Sequence, residues 1–170
     1  MTAEEQQAWV AQLEAALPAG AIQEVQENGA LVVAPAALPE AGRFLRDTVG
    51  FDYLSNVSGV DWLEQNLLEV VYHLYALRRG ERMLTTGQAD GPLGPAVLKV
   101  RTPRDNPVIP SVTALWPSAL FQEREVYDMF GVRFTGHPDL RRIYLWDEYT
   151  DYPLRKDYVP EEDQGDDGNG

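Results

Sequence analysis

The run Leu68–Leu77, LEVVYHLYAL, constrains the fold more than any other stretch of the chain. It belongs to the longest mostly apolar segment, Leu67 to Leu77, which is too short to span a bilayer and carries Glu69 and His73. Its β-branched and aromatic side chains suit a pleated, half-buried surface, so it reads as a central strand. His73 in such a strand reads as a satisfied core histidine and not as a ligand. A chain of 170 residues is long enough to build one domain around that strand.

The surrounding punctuation supplies the other elements. Residues 3–17 read as a helix, with Thr2 and Glu5 in capping-box spacing and Trp9, Val10, Leu13, Ala16 and Leu17 at helical intervals. Pro18 and Gly20 end it. Ile22–Val25 and Leu31–Val33 flank Asn28-Gly29, a hairpin signal because both turn positions tolerate positive φ. A second helix is expected from Pro39 to Val49, stopped by Gly50. Tyr53–Val60, the central run and Val97–Arg101 are strands, with a turn at Arg78-Arg79-Gly80-Glu81 and a mobile Gly/Pro loop over 87–96. Pro103, Pro107 and Pro110 argue against regular structure up to Ser111, which could cap a short helical turn, SVTALW. A last helix is expected over Ala119–Phe130, capped by Ser118 and ended by Gly131. The order is α+β and not the alternation of a parallel sheet. The expected architecture is a two-layer sandwich, a mostly antiparallel sheet with helices on one side, plus an extended C-terminal arm. Residues 1–135 form the globular part, 136–160 the partner-binding arm and 161–170 a disordered acidic tail.

Charge and composition exclude several functions. A net charge of −13 argues against nucleic acid, and the chain stays at −8 without the five acids of its last ten residues. The absence of cysteine removes disulfides, iron–sulfur ligation and thiolate zinc sites within this chain. The N-terminus, TAEEQQ after the initiating Met, is acidic and polar where a signal peptide needs a basic region, so a soluble polypeptide is expected.

Charge and bulk are densest from Glu123 to Tyr158, EREVYDMFGVRFTGHPDLRRIYLWDEYTDYPLRKDY. Helical steps place Val126, Phe130, Tyr127 and Leu120 in one sector, with Glu123 among them. Arg124 and Asp128 fall on the other side, near Phe121 and Glu125. A carboxylate in an apolar sector needs an arginine or a row of backbone N–H groups, because unpaired burial costs several kcal/mol. Arg133, Arg141, Arg142, Arg155 or another chain could supply the partner. Glu123 and Glu125, two apart, diverge too far to flank one scissile bond, so an acid/base pair is rejected. His137, Asp139 and Asp128 make a thin metal set with generic spacing. Arg141-Arg142 and Arg155-Lys156 could hold an anion or a partner's acidic groups, or remain solvated. Phe134, Tyr144, Trp146, Tyr149, Tyr152 and Tyr158 could form an interface or wrap the chain's own sheet; composition does not choose.

The order Glu123-Arg124-Glu125, Asp128-Met129-Phe130-Gly131, His137, Arg141-Arg142-Ile143 closely resembles the signature of the 30-kDa subunit of respiratory complex I, the C-type subunit of bacterial NADH-quinone oxidoreductase. The resemblance extends to Pro153-Leu154-Arg155-Lys156-Asp157-Tyr158, and back through Tyr72-His73-Leu74, Pro110-Ser111-Val112-Thr113 and Leu115-Trp116-Pro117. It implies a non-catalytic structural subunit of the peripheral arm, with no catalytic, cofactor-binding or metal residues of its own. Flavin, iron–sulfur clusters and quinone would belong to partner subunits. The expected partners are the 49-kDa-type (D) subunit, along which the C-terminal segment would lie, and the quinone-proximal iron–sulfur (B) subunit. The place would be peripheral, on the cytoplasmic face of the cell inner membrane. Carried onto this chain, the docking residues would be Glu123, Arg124, Glu125, Asp128, His137, Arg141, Arg142, Trp146, Arg155, Lys156 and Tyr158. A related ferredoxin-dependent complex or membrane-bound hydrogenase is the alternative.

Overall fold

A computed structural model describes residues 3–77 and 95–160. The expected Thr2 cap, the turn at 78–81, nearly all of the Gly/Pro loop and the acidic tail lie outside the described residues. Helix α1 (Ala3–Ala16) leads into β1 (Ile22–Val25) and β2 (Leu31–Val33), then α2 (Leu38–Phe44). Strands β3 (Tyr53–Trp62), β4 (Leu67–Tyr75) and β5 (Ala96–Pro103) follow, and β6 (Val108–Pro110), α3 (Ala119–Phe130) and β7 (Arg133–Thr135) complete the order.

The expected α+β architecture is present as an open five-stranded sheet in the order β1-β2-β5-β4-β3. Every neighbouring pair is antiparallel except β2 with β5. The long apolar run supplies β4, which is paired on both sides, by β3 and β5. Its alternation decides the faces. Leu68, Val70, Tyr72 and Leu74 are buried and join Leu98 and Val100 of β5 and Leu54 and Val57 of β3 in one core. Trp9, Leu13, Leu38, Ala41, Leu45, Ala119 and Val126 reach the same core, so α1, α2 and α3 each cover this face. Removing each large apolar side chain from water contributes about 1.5–3 kcal/mol. The opposite face carries an ionic ladder in which Glu69 meets Lys99 at 3.5 Å and Arg101 at 2.8 Å, and Arg101 meets Glu24 at 2.9 Å. His73 lies on this second face, and its Nδ1 has no hydrogen-bond partner among the described residues, contrary to the satisfied core histidine expected.

Local details depart from the sequence reading in four places. In the hairpin only Gly29 has positive φ, at 83°; Asn28 instead accepts the Ala30 N–H through its side chain at 3.1 Å. The second helix reaches Val49 through one wide π turn, Leu45–Val49, before Gly50 at φ 98°. The proline-rich stretch is irregular over 104–107 but regular over Val108–Pro110, where β6 pairs in parallel with β7. Pro107 offers only its carbonyl to Arg133, and the N–H used beyond Pro110 is that of Ser111, so neither proline is asked for a donor. Ser118 makes no side-chain cap; its hydroxyl donates to Leu54 O of β3 at 2.9 Å.

That last bond is one of several that seat α3 against β3, the outer strand of the sheet. Gln122 Oε1 accepts the Val57 N–H at 2.6 Å. The Phe130 ring lies against Gly59, where any Cβ would overlap it. Gly59→Ala should therefore destabilise the fold by roughly 1–3 kcal/mol through overpacking. Urea unfolding measures this, and Phe130→Leu in the same chain should recover part of the loss; an additive double variant would show that the two do not touch.

Candidate functional site

Helix α3 buries polar groups on two sides, which explains why its periodicity is not clean. Glu123 is fully buried. It meets no arginine among the described residues. One carboxylate oxygen accepts the Val112 N–H at 2.8 Å and the other the Ser111 hydroxyl at 2.6 Å. The Ser111 oxygen lies 2.8 Å from the Thr113 hydroxyl and accepts the Thr113 N–H at 3.1 Å. Burial pushes the Glu123 carboxyl up to about 7, against the pull of the Ser111 and Val112 hydrogen bonds.

On the other side, Arg124 and Asp128 hold the chain that returns after β7. The Arg124 guanidinium donates to the carbonyls of Arg141 at 3.1 Å and Arg142 at 3.0 Å. The Asp128 Oδ2 accepts the next three N–H groups, of Ile143, Tyr144 and Leu145, at 3.0, 2.7 and 3.1 Å. Its Oδ1 accepts from Arg142 at 2.7 Å, and the same guanidinium nitrogen donates to Asp128 O. Two residues one helical turn apart thus grip one bend of the strap, carbonyls on the first and amides on the second. Burial raises the Asp128 carboxyl, but the amides of Tyr144 and Ile143, the Arg142 guanidinium and the Leu145 amide outweigh it, and the net direction is downward.

A second anchor holds the far end of the strap. Arg104, buried at the end of β5, makes a bidentate pair with Asp61 of β3 at 2.8 and 3.0 Å. It also donates to Asp157 at 2.6 Å, while the Lys156 N–H donates to Asp61 at 2.8 Å. The Arg104 hydrogen bond holds the Asp157 carboxyl below its usual range. Between the anchors, Arg155 donates to Phe130 O at 2.7 Å and Tyr152 packs on Gly131, with the Arg142 and Arg155 guanidiniums against its ring. His137 bonds Leu120 O at 3.0 Å and accepts the Asp139 N–H at 3.0 Å.

The eleven residues expected to dock therefore separate by burial. Glu123, Arg124, Asp128 and Arg142 are buried with partners in their own chain. His137, Arg155 and Tyr158 are half-buried; Glu125, Arg141, Trp146 and Lys156 are exposed. The acid/base and metal readings gain nothing: Glu123 is inside while Glu125 is outside, and Asp128 already serves the strap. Among the described residues, no cluster of three or more His, Asp or Glu could hold a metal ion. The aromatics divide as well. Phe134 is core and Tyr149 bonds Tyr158 through their hydroxyls, whereas Tyr144 is 66% and Trp146 63% exposed, and Leu154 is exposed too. Arg104, Asp61 and Asp157 were missed; the available signal was Asp61, a charge at a core-facing register position of β3.

Residues 31–164 match the family described as respiratory-chain NADH dehydrogenase, 30 Kd subunit. The C-type subunit of NADH-quinone oxidoreductase from Roseiflexus sp. is 40% identical over 85% of this chain and 79% of its own. That of Moorella thermoacetica is 37% identical over 88% and 93%. The C/D-type protein of the same enzyme from Phocaeicola vulgatus is 42% identical over 67% of this chain but only 20% of its own length. Among solved structures, the trypsin-resistant fragment (1-134) of Nqo5 aligns with TM-score 0.59 at 31% identity, over 80% of this chain and 99% of the fragment. The membrane-bound sulfane sulfur reductase, an archaeal respiratory membrane complex, shares the fold with TM-score 0.68 at 24% identity, over 90% of this chain and 85% of that one.

The clamp on the strap is testable directly. Asp128→Asn leaves Arg142 buried without its counter-charge and should cost about 3–5 kcal/mol at pH 7 in urea unfolding. Because the folded carboxyl titrates below its unfolded value, its contribution is full above the unfolded pKa of about 4 and is lost as pH falls through the folded one. The difference between wild type and variant should therefore shrink only in acid. A difference independent of pH down to acid unfolding would remove the charge from the account.

Proposed function

The chain belongs to the 30-kDa subunit family of the respiratory-chain NADH dehydrogenase, and from that membership we propose a non-catalytic docking subunit of the peripheral arm of proton-translocating NADH:quinone oxidoreductase. The observation that carries this reading is the strap. Arg124, Asp128, Arg104 and Asp61 anchor it to its own body, while Tyr144, Trp146, Leu154, Arg141 and Lys156 of the same segment stand exposed. Aromatics and arginine on a rigid support are the chemistry of interface hot spots.

The partners are the D-type subunit and the quinone-proximal iron–sulfur (B) subunit. Relatives named for both C and D, which this chain matches over a fifth to a quarter of their length, support a D-type neighbour. Iron–sulfur clusters reside in partner subunits, since a sequence without cysteine offers no thiolate for one, and on this reading flavin and quinone reside there too. No helix among the described residues is long and apolar enough to cross a membrane; family membership is what supports a peripheral place on the cytoplasmic face of the inner membrane. The names of the 37–40% identical relatives favour NADH as the electron source over the ferredoxin or hydrogenase alternative.

Replacing Tyr144 and Trp146 together by Ala should weaken docking by at least about 2 kcal/mol, or roughly thirtyfold. Affinity capture of the tagged protein from membranes should then recover less of the D-type and B-type partners, and NADH:quinone activity of the membranes should fall with it. The stability of the isolated variant in urea unfolding should fall by no more than about 1.5 kcal/mol, since both side chains are mostly exposed and the Trp146 ring packs edge-on against Tyr149 at 4.7 Å. Undiminished capture would overturn the docking surface, and NADH oxidation by the isolated chain would overturn the non-catalytic role.

A further inference from the structure

The carboxyl of Glu123 sits on the core side of α3, fully buried and, among the described residues, without a cation. Its surroundings are built for two protonation states. In the ionised form Ser111 donates to Oε2 over 2.6 Å, and Val112 N–H donates to Oε1. In the neutral form the same 2.6 Å contact runs in reverse, from the carboxyl O–H to the Ser111 oxygen. Ser111 then donates over 2.8 Å to the Thr113 hydroxyl, a contact in which either oxygen can be the donor. Both states are satisfied by turning two hydroxyls. Thr113 is half-exposed and lines a surface groove with Ala114, Pro117 and Leu120, so the row of hydroxyls ends at solvent.

Beyond the Ser111 and Val112 hydrogen bonds, none of the described groups that approach Glu123 brings a positive charge to it. From β4, the Tyr72 phenol is fully buried, and its hydroxyl has no hydrogen-bond partner among the described residues. Burial, and then the nearby Glu123 charge, raise Tyr72 well above its ordinary range, so it remains a neutral phenol. From the segment after β6 come only hydroxyls and one N–H. On α3 itself the neighbouring Arg124 is turned to the strap carbonyls. Among the remaining charges of this region, Arg142 is bonded to Asp128 and Arg104 to Asp61 and Asp157.

We propose that Glu123 is a proton-exchanging lock: it carries a proton in the tightly packed protein and releases it to water through Ser111 and Thr113, and the resulting buried charge loosens α3 and the strap gripped by Arg124 and Asp128. One O–H bond breaks, one proton leaves through the hydroxyls, and the electron pair stays on the carboxylate. Burial placing this carboxyl at about 7 sets the exchange near neutral pH. The sign is opposite to that of Asp128. A carboxyl raised above its unfolded value stabilises most below that value, near 4.5, and the contribution is lost as pH rises through 7.

Glu123→Gln keeps the shape and removes the charge. Between pH 5 and pH 8 the unfolding constant of the wild-type chain in urea should rise about a hundredfold relative to that of Glu123→Gln. Asp128 stays ionised throughout this window. Over the same range, hydrogen exchange at the Ile143, Tyr144 and Leu145 amides should accelerate in wild type relative to the variant at matched pH. Parallel stability profiles for the two proteins overturn the proposal. If the variant does not fold, carbon-detected NMR of the wild-type Glu123 carboxyl decides: a transition between pH 6 and 8 supports the lock, and a carboxyl already ionised at pH 5.5 overturns it.

Discussion

The Asp128 carboxylate fixes the bend at residues 142–145 against α3. With three successive backbone amides and one guanidinium on its oxygens, it converts a stretch with no helix or strand into a fixed bend. Segments such as 137–160 need partners for their backbone groups, since a buried amide left unpaired costs about as much as a lost hydrogen bond. Here a helix supplies them from its side chains. Arg124, one turn earlier, does the same for the carbonyls, so α3 acts on the strap much as a neighbouring strand would act on a sheet edge.

The position of α3 follows from the sheet beneath it. Phe130 fits only because residue 59 has no side chain, and Gln122 and Ser118 attach the helix to backbone groups of β3. These contacts also cover part of an outer strand that would otherwise invite another chain's backbone. The chain thus uses one helix for three tasks: closing the core, shielding an edge and orienting the exposed aromatics of the strap.

Much of this was legible in the sequence where the information is local. The period-two pattern of β4, the hairpin strands around Gly29, the limits of α3 and the glycine after it were all readable, because each depends on neighbours within a turn or two. The covering of α3 was not. Arg124 and Asp128 look like a surface pair until the chain returns 14 to 18 residues later and buries them. Arg104 was further out of reach, since its partners Asp61 and Asp157 lie 43 and 53 residues away. The prolines misled for a related reason: a strand in which proline is asked only for its carbonyl is indistinguishable, in sequence, from a loop. The family signature did not tell which of the strap's charges face inward.

The one parallel pairing in the sheet sets the order in which the molecule can assemble. Strands β3 and β4 are joined by a tight turn through Asn66 and can pair as soon as both exist, with β5 next. Leu31 of β2 has to wait for Leu98, on the far side of everything between them. On a ribosome the N-terminal helix and hairpin are therefore made first and seated late. Until β5 emerges, Trp9, Leu13 and Val33 lack the Leu98 and Val100 part of the core they enter.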